Sequence, residues 1–292
     1  MSKIKPLVLS LRPKHWVKNI FILAAPFFSL QLFNPGNFSN LIAGLLCWCA
    51  ITSAVYLFND IIDKKEDLLH PDKKNRPIAS GLINTSLALS IFILLALAAI
   101  MFSTRVNAKF TLLIVLYLLI NLVYSLYLKH IFILDVISIA MGFVLRVVSG
   151  AALVNVGVSG WIIMCAFLVS LLLGFGKRRE ELAMLKEEAV SHRKALKDYA
   201  QGFLERAPYC LAVATIICYM FYTVSGEAIR KFGNRNLIYT TPFVIYGLVR
   251  YVYIAYKKNK GADPTQVVFS DLSTVINILL WVTVTGLIIY KF

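Results

Sequence analysis

Apolar runs and short polar stretches alternate along the whole chain, and the runs have the length of membrane crossings. Residues 87–103 and 274–290 contain no Asp, Glu, Lys or Arg, and so approach the ~20 apolar residues that carry a helix through a bilayer. The pattern predicts nine spanning helices, over 17–33, 41–60, 84–103, 108–126, 132–152, 161–176, 207–224, 238–256 and 270–290. The N-terminal charges run into the first of these without a small-residue cleavage site, so that span is expected to be retained rather than removed as a signal peptide.

Composition fixes the class. The 292 residues are 59% hydrophobic and only 15% charged, with a mean hydropathy of +0.74, too apolar for a soluble domain of this size. Most lysines and arginines lie in 1–18, 61–83, 127–131, 177–206 and 257–269, whereas the alternate loops and the C-terminus hold only Arg105, Lys109, Arg230, Lys231, Arg235 and Lys291. The basic side is expected to be cytoplasmic, with the N-terminus inside, in the inner (cytoplasmic) membrane of the cell. The turns 34–40 and 154–160 carry no charge, as translocated turns should; the loop at Arg230 fits least well. The formal net charge of +15 follows from positive loops beside anionic lipid headgroups. Because those loops alternate with spans and form no single basic domain, nucleic acid is not an expected partner. The five cysteines, at 47, 49, 165, 210 and 218, fall inside predicted spans without metal-ligand company and read as small apolar residues.

The chemistry concentrates where the second span ends. In the segment from Tyr56 to Asp67, Asn59, Asp63 and Asp67 follow an i, i+4, i+8 spacing, and Asp60 stands three residues before Asp63. On a continuing helix all four share one face, while Glu66 points off it. Clustered like charges repel, and a cation turns the repulsion into binding. Magnesium takes carboxylate oxygens and commonly completes its shell with water and substrate phosphate, so the arrangement suits a metal-bridged diphosphate. The plainer reading is a solvated helix end in which Lys64, Lys65 and the acids compensate one another, but ionisable groups at the membrane edge are usually functional. Downstream, the breaker-rich loop from His70 to Gly81 offers Arg76, whose guanidinium can grip a phosphate through two parallel hydrogen bonds.

Asn59-Asp60-x-x-Asp63-x-x-x-Asp67 followed by Arg76-Pro77, in a nine-span chain, resembles the first aspartate-rich motif of the UbiA superfamily of intramembrane prenyltransferases. The resemblance covers nearly the whole chain. It implies one all-α transmembrane domain over 1–292, a polar cavity near the cytoplasmic boundary, and magnesium-dependent chemistry on a diphosphate. Further segments resemble the decaprenyl-phosphate phosphoribosyltransferase branch: the stretch from Leu11 to Asn19, Tyr124-Ser125 to Lys129, Leu134-Asp135, Gly142 to Arg146, Gly176 to Leu182, His192 to Tyr199, and Asp263-Pro264. Where aromatic prenyltransferases usually carry a second aspartate-rich motif, this chain reads Lys177-Arg178-Arg179-Glu180-Glu181. That departure points to substrates whose phosphates meet lysine and arginine.

The branch implies a reaction of phosphoribosyl pyrophosphate with a polyprenyl phosphate. Asn59, Asp60, Asp63 and Asp67 would be the metal ligands, with the three aspartates catalytic through the charge they help neutralise. The acceptor phosphate is already anionic, so no strong base is required, and the residue types offer none. Positioning two anions demands cations from several loops: Lys14 and Lys18, read at i, i+4 of the first helix after Pro13; Lys129 at the end of span four; and Lys177 with Arg178 at the end of span six. For Lys14, Lys18 and Lys129, snorkelling to the interface competes with phosphate contact. Tyr124 is read either as a phosphate partner or as part of the interfacial aromatic belt. Asp135, Ile139, Gly142 and Arg146 lie on one stripe of span five, so Arg146 must face the bundle interior, in an ion pair or against substrate. Residues 177–206 read as an amphipathic cap that closes over the hydrophilic substrate.

Two other functions fit the composition: a prenyltransferase acting on an aromatic or other acceptor, and a non-catalytic transporter. No inverted repeat of the kind that marks many transporters is evident. A homo-oligomer is compatible with the pattern.

Overall fold

The computed structural model describes residues 4–185, 201–257 and 270–291. Every regular element among them is helical, and eight helices are long and apolar enough to cross a membrane. The chain clusters into two compact units, Met1–Val158 and Ser159–Phe292.

The first unit opens with α1 (Ile4–Ser10), a 3₁₀ segment (Pro13–Leu23) and α2 (Ala24–Phe28). Here the structure departs from the predicted span over 17–33, because no long α-helix forms. At ~2.0 Å per residue the 3₁₀ segment advances about 22 Å, and α2 adds about 7.5 Å, so together they still match a hydrocarbon layer of ~30 Å. In place of the predicted first span the chain thus forms a 3₁₀–α composite, outside the eight helices long and apolar enough to cross. Its residues repeat every three rather than every 3.6, which makes three distinct faces. Asn19 and Ile22 are buried on one face, and Trp16 on that face, though exposed, donates its indole N–H to Ser53 Oγ at 2.9 Å. Lys14 and Ile20 are exposed on a second face. His15, Lys18 and Phe21 make the third, with His15 5.3 Å from the Tyr56 ring and Phe21 5.0 Å from Phe143. Lys14 and Lys18 therefore do not share the face that α-helical spacing predicts.

Next come α3 (Phe38–Ile62), α4 (Lys64–Leu69), α5 (Thr85–Thr104), α6 (Ala108–Leu126) and α7 (Leu134–Leu153). Asparagines start α5 and α6: Asn84 accepts from the Ser86 amide, and Asn107 from that of Phe110 at 2.8 Å, which satisfies amides left open at a helix N-terminus. α3 packs on α5 and α6, α6 packs on α7, and α7 packs on the 3₁₀ segment. Burial shows which helix is central, since 78% of the α7 window is buried against 17% for α5. Two glycines permit the closest approaches. A Cβ on Gly150 would fall 1.7 Å from the Ile22 carbonyl oxygen, and one on Gly44 would fall 2.3 Å from the Leu153 side chain.

The second unit contains α8 (Gly160–Leu185), α9 (Gln201–Val224), α10 (Gly226–Phe232), α11 (Thr241–Lys257) and α12 (Leu272–Tyr290). Here α9 packs on α8 and α11, and α11 on α12. α8 runs unbroken through Lys177 and Arg178, so these cations lie within a helix rather than at the end of span six. The predicted cap over 177–206 is helical through Leu185, and its remainder up to residue 200 lies outside the described residues, as do His192 to Tyr199 and Asp263-Pro264.

Candidate active site

The last turn of α3 carries Asn59 and Asp60, Asp63 is the junction residue, and Asp67 sits on α4. The helix bends at Asp63 (φ −81°, ψ 1°) without losing its i→i+4 ladder. The Asp63 amide donates to the Asn59 carbonyl at 2.9 Å, and the Asp67 amide donates to the Asp63 carbonyl at 2.8 Å. The four side chains stay near one another, while Glu66 is exposed.

Three cations thread between the acids. Arg76 returns along the loop after α4, where the His70 imidazole accepts from the Asp72 amide and a short 3₁₀ turn (Lys73–Asn75) follows. The proline at 77 holds Arg76 extended, at φ −61° and ψ 140°. Arg76 Nη1 then donates to Asp67 Oδ2 at 2.7 Å and to Asp60 Oδ1 at 3.1 Å. Arg12 reaches the same Asp60 oxygen at 2.5 Å, with its guanidinium 4.8 Å over the Tyr56 ring. It adopts the left-handed conformation, φ 52° and ψ 55°, at the junction of α1 and the 3₁₀ segment. Lys129, in the turn Leu128–His130 after α6, pairs with Asp63 Oδ1. Asn59 donates to the other Asp63 oxygen at 2.7 Å and accepts from Ser125 Oγ at 3.2 Å.

Three carboxylates thus face three basic side chains. The balance lets Asp60 and Asp67 remain buried at 2% and 3% exposure, where an uncompensated charge would be costly. Burial pushes the Asp67 carboxyl above the usual carboxylate range; Arg76 opposes that shift, and the nearby Asp60 and Asp63 charges add to it. Among the described residues the acids do not converge as a bare metal-binding group, because Arg12, Arg76 and Lys129 stand between them. The donor chemistry still fits a hard divalent cation: three carboxylates and one amide oxygen, with the aspartates close enough to feel one another's charge.

Sequence reasoning placed Asn59, Asp60, Asp63, Asp67, Arg76 and Lys129, and the structure brings all six together. It missed Arg12, Tyr56 and Ser125. Tyr124 is half-buried and adjoins Ser125; Lys18 is half-buried and Lys14 exposed. In the second unit, Arg178 is buried at 1% exposure and pairs with Glu181 one turn along α8. Lys177 is half-buried, and Arg179 donates to the Ala255 carbonyl at 3.0 Å.

A polytopic helical membrane protein with an Asn-Asp-x-x-Asp-x-x-x-Asp cluster woven with arginine and lysine belongs to the class of intramembrane transferases. More particularly, the chain belongs to the UbiA prenyltransferase family, whose model matches residues 19–272. It is 26% identical to a decaprenyl-phosphate phosphoribosyltransferase of Mycolicibacterium smegmatis, covering 98% of this chain and 93% of that one. It is 28% identical to the protein of the same name from Corynebacterium glutamicum, covering 97% and 86%. In fold it is similar to a UbiA homolog from Archaeoglobus fulgidus solved with GPP and Mg2+, at a TM-score of 0.76 and 20% identity over the whole of both chains.

Proposed function

We propose that the chain transfers the 5-phosphoribosyl group of phosphoribosyl pyrophosphate to a polyprenyl phosphate, releasing pyrophosphate, at the cytoplasmic face of the cell membrane. The observation that carries this reading is the interleaving of Asp60, Asp63 and Asp67 with Arg12, Arg76 and Lys129. Such a site offers oxygens to a metal and, in the same place, cations to a phosphate. The curated relatives match over nearly their full length, and the sugar-phosphate substrate is taken from them. The run Lys177 to Glu181, cationic where an aspartate pair would hold an allylic diphosphate, supports the same choice.

Asn59, Asp60, Asp63 and Asp67 would hold magnesium, which when bound neutralises the charge that builds on a departing pyrophosphate. The chain's own residues do the rest. With the carboxylates holding a metal, Arg12, Arg76 and Lys129 would be free to meet phosphate oxygens, so that every charge stays paired. Lys18 and Tyr124 are proposed as additional contacts; Lys14, on the outward face, is assigned to lipid headgroups. Ser125 donates to the Asn59 amide oxygen, whose second lone pair is the one a metal would take. In the transfer, the bond from the anomeric carbon to pyrophosphate breaks and pyrophosphate leaves with the electron pair. An oxygen of the lipid phosphate bonds to the opposite face of the same carbon. No proton has to move, so the site needs no general base.

The purified protein, given ribose-labelled phosphoribosyl pyrophosphate, a polyprenyl phosphate and magnesium, is expected to form a labelled lipid, and chelation should stop it. Label transfer from a prenyl diphosphate to an aromatic acceptor, with none from phosphoribosyl pyrophosphate, would establish prenyl transfer instead.

A further inference from the structure

Arg146 is a buried charge of the first unit that the proposed chemistry does not use, as is Asp135 at the start of the same helix. Arg146 lies mid-way along α7 at 5% exposure. A charge at such a depth is costly even on permissive scales. Among the described residues no carboxylate pairs with it. Neutral groups hold it instead: Nε donates to Asn19 Oδ1 at 2.9 Å, Nη1 to the Gly142 carbonyl at 2.8 Å, and Nη2 to the Tyr117 hydroxyl at 3.3 Å. Its guanidinium carbon stands 4.8 Å from the Trp48 ring, 5.0 Å from Tyr117 and 5.3 Å from Phe143, a setting in which aromatic faces replace part of the lost hydration.

Asn19 shows what the charge holds. Its oxygen accepts from Arg146 on α7, and its nitrogen reaches Cys49 Sγ and Thr52 Oγ1 on α3 at 3.4 and 3.5 Å, so the amide ties the 3₁₀ segment to both helices. On either side along the same face, Trp16 is tied to Ser53 and Ile22 rests on Gly150. Ser53 Oγ also donates to the Leu11 carbonyl at 3.0 Å, directly before Arg12. The segment that leads out of Arg12 is thus pinned at every 3₁₀ turn, and the middle pin is the charged one. Left-handed backbone at Arg12 is a strained state that persists only where its surroundings enforce it.

We propose that Arg146 is a positioning residue for the diphosphate site: through Asn19 it fixes the 3₁₀ segment in the register that aims Arg12 at Asp60. This rests on the reading of the Asp60 cluster as a metal-diphosphate site. The test is calorimetric titration of magnesium pyrophosphate into the purified full chain, which reads binding whatever group the enzyme transfers. Arg146→Met keeps the bulk and removes the donors; Asn19→Ala cuts the same link from the other end and leaves Arg146 its Gly142, Tyr117 and ring contacts. Each is expected to weaken binding about tenfold, as loss of one charge-assisted contact does. Arg12→Ala should do the same, and Arg12→Ala with Arg146→Met should bind no worse than Arg12→Ala alone, the non-additivity expected of residues acting through one contact. Parent affinity in Asn19→Ala, or losses that multiply in the double variant, would overturn the proposal. No binding by the parent chain would overturn the diphosphate reading and this proposal with it.

Discussion

Lys129 is the most buried cation of the cluster, at 4% side-chain exposure, and its partner Asp63 is more open, at 17%. Replacing Asp63 by Asn leaves the lysine charge buried without its counter-ion, a change that costs about 3–5 kcal/mol in buried pairs. Asp63→Asn is therefore expected to abolish turnover and to lower the melting temperature. Adding Lys129→Met should restore the melting temperature but not turnover; recovery of activity would show that Asp63 serves only to balance Lys129. Asp67 carries the pH dependence. Its carboxyl titrates above the unfolded value because burial disfavours its charged form, so the folded chain binds more protons in the interval between the two values. Stability from this group is present below the unfolded carboxylate range and is lost as pH rises through the folded titration. Thermal melts should show the parent falling relative to Asp67→Asn as pH rises through that interval, and parallel curves would contradict the assignment. The carboxylates were legible in sequence because their spacing is local. Arg12 was not, since its partner lies 48 residues away and its aim depends on a left-handed turn that nothing in Leu11-Arg12-Pro13 announces. Arg146 was correctly read as facing inward, yet the ion pair left open for it is replaced by an asparagine 127 residues away.

Apolar length alone made the long helices legible, except that α8 runs on to Leu185 beyond the predicted 161–176 and α9 begins at Gln201 before the predicted 207–224; the winding over 13–28 was not legible, because composition does not separate 3₁₀ from α. The one available signal was the three-residue repeat of Trp16, Asn19 and Ile22. Close packing of this element gives a sharp contrast. Gly150→Ala would set a Cβ against the Ile22 backbone, which cannot yield, whereas Gly44→Ala meets only the tip of Leu153. Gly150→Ala should lower the melting temperature far more than Gly44→Ala and should also weaken magnesium pyrophosphate binding; equal effects would show that the 3₁₀ segment shifts freely. In the second unit, Asp271 caps α12 by accepting from the Thr274 amide at 3.0 Å and binds Arg250 through both oxygens, at 2.8 and 3.1 Å. Arg250 and then Thr274 hold its carboxyl well below the usual range. This contribution is present above the unfolded value and is lost as pH falls through the folded one, opposite in sign to that of Asp67. Asp271→Ala should cost about 1 kcal/mol of stability as a lost cap, and the deficit should shrink on strong acidification.

Across the molecule, a membrane bundle with one acidic, cation-balanced site follows from two sequence features, the apolar runs and the Asn59 to Asp67 spacing. How the cations close on the acids does not, since it depends on contacts between distant helices. The positive-inside rule predicts an orientation in which 34–40 and 154–160 are translocated. An export-dependent reporter fused after Gly36 or Gly157 should be active and one fused after Ser80 silent, and the reverse pattern would invert the topology. In the proposed reaction the diphosphate belongs to the sugar and leaves, while the ribose joins the lipid. Phosphoribosyl pyrophosphate labelled with one isotope in the ribose and another in the pyrophosphate tests it directly. After incubation with a polyprenyl phosphate, the ribose label is predicted in the lipid phase and the pyrophosphate label in water, in equal amounts. Both labels remaining in water, in a preparation that binds magnesium pyrophosphate, would contradict transfer of the ribose to the lipid.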